Sequence, residues 1–414
     1  MTETPKAPGV LVAAADPWNR ELLGQLVLSV RCDATIEFCE DGTHAIELCR
    51  QRVFTLVVAE QELPGADGID LLRHLRRTRR GPLAPDFILI SASADTASVR
   101  AVLPLAPSAY LVKPFNAEDL RQRLRALLVE PGQEVACVAP VARVAGSLDN
   151  FLADARDAAD GAPLLEEVGT AVSRCLNTAE LSLEQLEDEF GRDPQITACL
   201  IAAANSAARH AGMPCLTLAQ ALARLGLAQA TNLVLGLSLE RAAQLADPQL
   251  KARAQGFWDL SQRTAEAAQV LAEDIGVDAP RCYTAGLLHC LGDLAVLRTL
   301  EEWQQRGGEL NEELIDESLK GYGAGFGSTL RTRWRLPLEL RELIAAAYGM
   351  GSGVFSRKAL ILNLAAAAAR LPAGREDELK DSKAVRMLGL GPSQLRLLQG
   401  FLAPEVAPPE PLDA

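Results

Sequence analysis

The chain has 414 residues, 49% hydrophobic and 23% charged, which excludes wholesale disorder and allows two or three domains at ~150 residues each. Asp and Glu number 54 against 41 Lys and Arg, a formal net charge of -13, and a surface so acidic repels polyphosphate and argues against nucleic acid as main partner. Aromatic residues make up 4%, which disfavours an all-β fold, and four histidines leave little material for a His-rich metal centre.

Residues 8–130 alternate short apolar runs with amphipathic stretches. The runs at residues 10–14, 35–38, 54–58, 87–90 and 110–112 predict strands, continuous in apolar character because helices cover both faces of a parallel sheet. The last stretch offers Asn116 as an N-cap and sets Leu120, Leu124, Leu127 and Leu128 on one stripe. The fold class read from five such repeats is α/β, a doubly wound five-stranded parallel sheet with its working site at the carboxyl ends of the strands. Residues 131–147, rich in Pro, Gly and small residues, read as a linker.

Beyond it the punctuation is that of helices, and residues 148–350 are expected to be all-α. Ser182 to Gln185 and Thr217 to Gln220 have capping-box spacing, and Asp193-Pro194 and Asp247-Pro248 each place a capping acid before a first-turn proline. Ile196, Cys199, Leu200, Ala203 and Ala207 recur at helical spacing. Residues 351–402 read as a C-terminal helical extension, and the Pro-rich acidic segment 403–414 as a disordered tail. Nine scattered cysteines without a CxxC pair argue against a disulfide framework. With no apolar leader core at the N-terminus and no apolar run near the ~20 residues that span a bilayer, the expectation is a cytoplasmic protein without a membrane partner.

Three segments of the first domain carry a resemblance. The stretch 60–68 (EQELPGADG) resembles the loop after the third strand of response-regulator receiver domains. The stretch 110–115 (YLVKPF) resembles their lysine motif, and Ser91 their phosphate-sensing hydroxyl. The resemblance implies a CheY/flavodoxin-like fold whose chemistry needs an acidic pair for Mg²⁺, a phosphoacceptor Asp, a hydroxyl and a lysine. Aligned on residues 10–17, Ala14 and Ala15 stand where the acidic pair belongs, and Asp16 falls one place later. Counting back from Pro64, Glu60 stands at the phosphoacceptor position, while Ser91 and Lys113 remain and Tyr110 lies where the family carries its rotating aromatic. Asp16 is read as the N-cap before Pro17 rather than a residual ligand. Two readings of Glu60 stay open. It imitates the phosphorylated side chain, paired to Lys113, or it is a solvated acid at a loop rim in a domain that only docks or dimerises. The second is preferred, because a carboxylate carries less charge and fewer acceptors than a phosphoryl group. Both imply a receiver not switched by aspartyl phosphorylation.

The second domain resembles HDOD domains, the HD-related output domains of bacterial signalling proteins. The resemblance rests on residues 193–207, containing Asp193, Pro194, Asn205 and Ser206, on 218–226, on 232–235, and on 285–293. At the HD position His289 is kept, but Cys290 replaces Asp, and Leu260 follows Trp258-Asp259 where related domains often carry His. With His210 in a different motif, no dinuclear centre of the hydrolytic kind is expected. His289 is read as a partly buried helix residue that does not share a ligand with Cys290, since neighbouring helix positions diverge by ~100°. Asn205 and Ser206 are read as hydrogen-bonding backbone at a helix end. The helix-turn-helix look of 218–239 offers only Arg224 as a basic residue, too little for DNA. The basic runs 73–80 and 331–335 read as solvated faces, with docking to an acidic surface as the alternative.

The expectation is a non-enzymatic bacterial regulator of the two-component type, without metal or cofactor. The resemblance implies signalling proteins as partners: a histidine kinase, a diguanylate cyclase or phosphodiesterase, a transcription regulator, or a second copy in a homodimer. The alternatives are an HDOD pocket that binds a nucleotide or second messenger and, less favoured, a residual metal-dependent phosphohydrolase.

Overall fold

The computed structural model describes residues 7–78, 84–93, 100, 102–113, 115–129, 146–158, 182–206, 213–238, 245–349, 355–375 and 377–403. Residues 131–145 of the linker expected at 131–147, Ala207, His210, Arg79, Arg80 and residues 404–414 of the tail expected at 403–414 lie outside the described residues. The chain divides into two compact units: Met1–Pro140 with Ser206–Arg209 and Leu225–Arg241, and Val141–Asn205 with His210–Arg224 and Ala242–Ala414.

In the first unit five strands, β1 (Gly9–Ala13), β2 (Thr35–Cys39), β3 (Leu56–Glu60), β4 (Asp86–Ser91) and β5 (Ala109–Val112), form a wholly parallel sheet in the order β2-β1-β3-β4-β5. Helices α1 (Pro17–Val30), α2 (Gly42–Gln51), α3 (Gly68–Thr78) and α4 (Ala117–Leu128) cover it. The α/β fold class expected from the sequence is the one observed. β3 is buried throughout, as a central strand covered on both faces must be, whereas the edge strand β2 is largely half-exposed or exposed. The strand order reverses between β1 and β3, so the crevice where such sheets carry their sites opens at the carboxyl ends of these strands. α3 starts hard against the end of β3. A Cβ on Gly68 would lie 2.4 Å from the Glu60 carbonyl oxygen, so only glycine permits the approach.

α5 (Leu148–Ala158), α6 (Leu183–Phe190), α7 (Pro194–Ala204) and α8 (Leu218–Leu225) belong to the second unit. α9 (Leu227–Ser238), from the stretch expected in the second domain, belongs to the first. The second unit continues with α10 (Pro248–Ile275), α11 (Ala279–Leu287), α12 (Leu291–Gln305), α13 (Glu312–Arg333), α14 (Leu338–Tyr348) and α15 (Arg357–Arg370). It closes with the short α16 (Asp377–Lys380), α17 (Lys383–Leu388) and α18 (Pro392–Leu397). The capping box at Ser182 and Gln185 forms, and Asp193 and Asp247 cap α7 and α10 through their side chains. At Thr217 the box is incomplete: its hydroxyl takes the Gln220 N–H, but the Gln220 side chain takes the N–H of Leu216. Every residue of α7 is buried, so its apolar spacing marks a fully enclosed helix rather than one face. Among the described residues no helix is long and apolar enough to cross a membrane. Cys32 is disulfide-bonded, a link the scattered spacing did not reveal, and six other described cysteines are buried.

Candidate functional site

The crevice of the first unit gathers Glu60 from the last position of β3, Ser91 from the last of β4, and Lys113 immediately after β5. Glu60 is only 4% exposed, and its Oε1 accepts Lys113 Nζ at 2.5 Å and Asn19 Nδ2 at 3.0 Å. The solvated-rim reading of Glu60 is therefore overturned. The last residue of a central strand lies under the crevice, where a carboxylate persists only if paired and hydrogen-bonded. Ser91 is fully buried. Its hydroxyl donates to Glu62 Oε1 at 3.4 Å, the same oxygen accepts the Ala92 N–H at 3.2 Å, and the hydroxyl accepts the Ser93 N–H at 3.0 Å. Tyr110 packs its ring against the sheet core while its hydroxyl donates to the Ser93 carbonyl at 2.8 Å.

Ala14 is fully buried and Ala15 half-buried just after β1, and neither offers a metal ligand. Asp16 caps α1 with Oδ1, accepting the N–H groups of Trp18 at 2.9 Å and Asn19 at 3.2 Å, and its Oδ2 accepts the Ser206 hydroxyl at 2.9 Å. A divalent cation here would need several hard oxygens converging, and these residues do not fit one. Sequence reasoning missed Asn19 and Glu62. Glu62 was signalled by an acid two places beyond Glu60, whereas nothing local marked Asn19.

The HD-position residues lie in the second unit. His289 is fully buried in the turn between α11 and α12, not within a helix, and Cys290 occupies the N-cap of α12. The turn brings their side chains together, correcting the helix-based expectation. Cys290 Sγ lies 3.2 Å from His289 Nε2, and Nδ1 lies 2.6 Å from the Gly286 carbonyl. Burial drives the His289 pKa down to about 3 and the Cys290 thiol up to about 12, so a neutral imidazole meets a protonated thiol. Asp293, one turn into α12, is pushed up to about 6 by burial and accepts the Tyr348 hydroxyl at 3.3 Å; that hydroxyl also donates to the His289 carbonyl. With both ring nitrogens and the thiol engaged, the cluster does not fit a catalytic divalent metal. Among the described residues no group of three His, Cys, Asp or Glu could hold one.

Asn205 caps the end of α7 and pins a distant loop. Its amide donates to the Ile201 and Cys215 carbonyls and accepts the Cys215 N–H, all within 2.9 Å. Arg224 spends its guanidinium on the Ala204 and Met213 carbonyls. The basic runs are less solvated than expected. Arg76 donates to the carbonyls of Pro85, Leu105 and Ala106, and Arg331 and Trp334 are buried, because these positions face neighbouring backbone and core.

A doubly wound parallel sheet with acid, hydroxyl and lysine at its carboxyl edge is the architecture of a receiver, here followed by a helical output region. The model of the response regulator receiver domain matches residues 10–125 and that of the HDOD domain residues 162–350, and the chain is a response-regulator receiver fused to an HDOD domain. It is similar to the transcriptional regulatory protein TctD of Salmonella typhimurium, 35% identical over 111 residues, 27% of this chain and 48% of TctD. Response regulator ArlR of Staphylococcus saprophyticus is 32% identical over 96 residues, 23% of this chain and 41% of ArlR. The chain thus spans about half the length, or less, of these curated relatives. Among solved structures, the MmoQ response regulator of Methylococcus capsulatus aligns at 21% identity over 58% of this chain and 98% of its own, with a TM-score of 0.45. The signal receiver domain of an HD domain-containing protein of Pseudomonas fluorescens aligns at 25% identity over 30% of this chain and 95% of its own, with a TM-score of 0.27.

Proposed function

We propose that this chain is a non-enzymatic cytoplasmic regulator of the two-component type whose receiver is not switched by aspartyl phosphorylation and whose HDOD domain acts by protein–protein contact. The carrying observation is the buried Glu60 paired with Lys113 at the phosphoacceptor position. In-line phosphoryl transfer needs an acceptor oxygen positioned in line and a cation that neutralises the moving group. Here Lys113 and Asn19 fix the carboxylate through Oε1, and the positions of the metal-binding pair carry methyl groups. The arrangement supports the first reading of Glu60: a fixed negative charge against Lys113 holds the crevice in one state. Tyr110, with its ring on the core, fits that single state.

In the HDOD domain the sealed His289–Cys290 pair supports a structural role for the HD position and leaves the outer surface as the means of action. The partners proposed, on the family resemblance, are signalling proteins: a histidine kinase, a diguanylate cyclase or phosphodiesterase, or a transcription regulator. The test is incubation of the full chain with Mg²⁺ and acetyl phosphate, followed by intact-mass and peptide analysis. The expected result is no phosphoryl adduct, and an adduct on any carboxylate of residues 8–130 refutes the reading. Turnover of cyclic dinucleotides or (p)ppGpp in the presence of Mn²⁺ would likewise refute the non-enzymatic assignment.

A further inference from the structure

Within the first unit, α9 packs along α1; two side-chain hydrogen bonds tie it to the sheet domain, and a third comes from Ser206, outside the helix. Gln229 Nε2 donates to Asn19 Oδ1 at 2.9 Å, Asn232 Nδ2 donates to the Phe115 carbonyl at 2.8 Å, and Ser206 Oγ donates to Asp16 Oδ2 at 2.9 Å. Gln229 and Asn232 are three residues apart and so share one face of α9. The bonds are not equivalent. Asn232 ends on a backbone carbonyl and Ser206 on the helix-capping carboxylate. Gln229 ends on the amide whose other edge donates to Glu60 Oε1, the oxygen that also accepts Lys113.

The polarity of that chain of bonds follows from elementary hydrogen-bond chemistry. An ionised carboxylate only accepts, so the Asn19 NH₂ must face Glu60. Its carbonyl must then face α9, and an acceptor there calls for a donor, which the Gln229 amide supplies. A change at Glu60 that let Asn19 turn over would present a donor to a donor, and Gln229 would have to turn as well or release the contact. Asn19 is buried and Glu60 almost wholly so, hence neither can replace its partner with bulk water without cost.

We propose that Asn19 is a positioning residue that couples the Glu60–Lys113 crevice to α9, making the Lys113–Glu60–Asn19–Gln229 series a polar latch through which the state of the receiver site sets the seating of α9. This deepens the proposed function by giving the fixed carboxylate a route outward, and it rests on that reading of Glu60. The two fail separately: phosphoryl transfer is read by mass, the latch by exchange and side-chain resonances.

The test uses the full-length chain, with backbone amide exchange across residues 227–238 and the NMR signal of Lys113 Nζ. Gln229→Ala and Asn232→Ala each remove one α9 bond, and each is expected to speed α9 exchange about five-fold, the worth of one hydrogen bond. Only Gln229→Ala is expected to move the Lys113 Nζ signal, because only that bond reaches Glu60. By linkage the reverse also holds. Glu60→Ala, which removes the oxygen that fixes the Asn19 amide orientation, speeds α9 exchange about three-fold in the otherwise native chain. It adds nothing in an Asn19→Ala background. The proposal is overturned if Asn232→Ala moves Lys113 as much as Gln229→Ala does, if Gln229→Ala leaves Lys113 unmoved, or if Glu60→Ala acts equally in both backgrounds. Should Asn19→Ala not fold, the comparison of Gln229→Ala with Asn232→Ala at Lys113 decides alone.

Discussion

The Glu60–Lys113 pair predicts an asymmetry between its two halves. The Glu60 side chain is 5% exposed and that of Lys113 27%. Replacing Lys113 by Met leaves a buried carboxylate with Asn19 as its remaining crevice partner, whereas replacing Glu60 by Gln leaves an ammonium on a flexible stem that reaches water. Removing one member of a fully buried pair costs about 3–5 kcal/mol, and partial exposure of the lysine lowers that to about 2–3 kcal/mol for Lys113→Met. Glu60→Gln keeps an acceptor oxygen and the side-chain volume and is expected to cost about 1 kcal/mol. Two units need not unfold together, so the measurement is amide exchange in β1 and β3, which reports the opening free energy of this sheet. Lys113→Met should accelerate exchange there roughly 30- to 150-fold and Glu60→Gln about five-fold. Equal effects, or an acceleration below about three-fold for Lys113→Met, would refute the claim that Glu60 is held as a desolvated anion.

The second unit gives a pH prediction with opposing signs. His289, driven from 6.5 to about 3, contributes stability that is present above pH 6.5 and lost as pH falls toward its folded value. Asp293, raised from 3.8 to about 6, contributes stability that is present below pH 3.8 and lost as pH rises through 6. Between about pH 4 and 6 the two slopes oppose, so Asp293→Asn should steepen the loss of stability with acid toward ~1.4 kcal/mol per pH unit. Denaturant titrations at three pH values check this, and an unchanged slope would exclude it. Gly292→Ala should destabilise the second unit by about 3 kcal/mol. Its Cβ would lie 2.0 Å from the Gly323 carbonyl oxygen, forcing α12 and α13 apart. A melting temperature equal to that of the native chain would contradict so close a crossing.

Much of the fold was legible because it is written in short-range pattern. The five apolar runs marked the strands to within a few residues, and Asp16, Asp193 and Asp247 announced their helices by standing before proline. The identity of the crevice residues was legible too, since Glu60, Ser91 and Lys113 stand in motifs at strand ends. Their state was not. Whether Glu60 is solvated or buried depends on a lysine 53 residues away and on an asparagine 41 residues away, which no local period brings into view. The His289–Cys290 contact was hidden for a related reason: helical geometry would hold neighbouring side chains apart, and only the turn between α11 and α12 lets them meet.

By itself the sequence determined the parallel sheet and the helical second region, because periodicity, capping and residue type act over a few residues. Tertiary structure alone decided which polar groups are buried together and which oxygen accepts which donor. Burial and strand register are properties of segments that meet only in the folded chain, and they turned a glutamate read as solvated into the buried centre of a hydrogen-bonded series reaching α9.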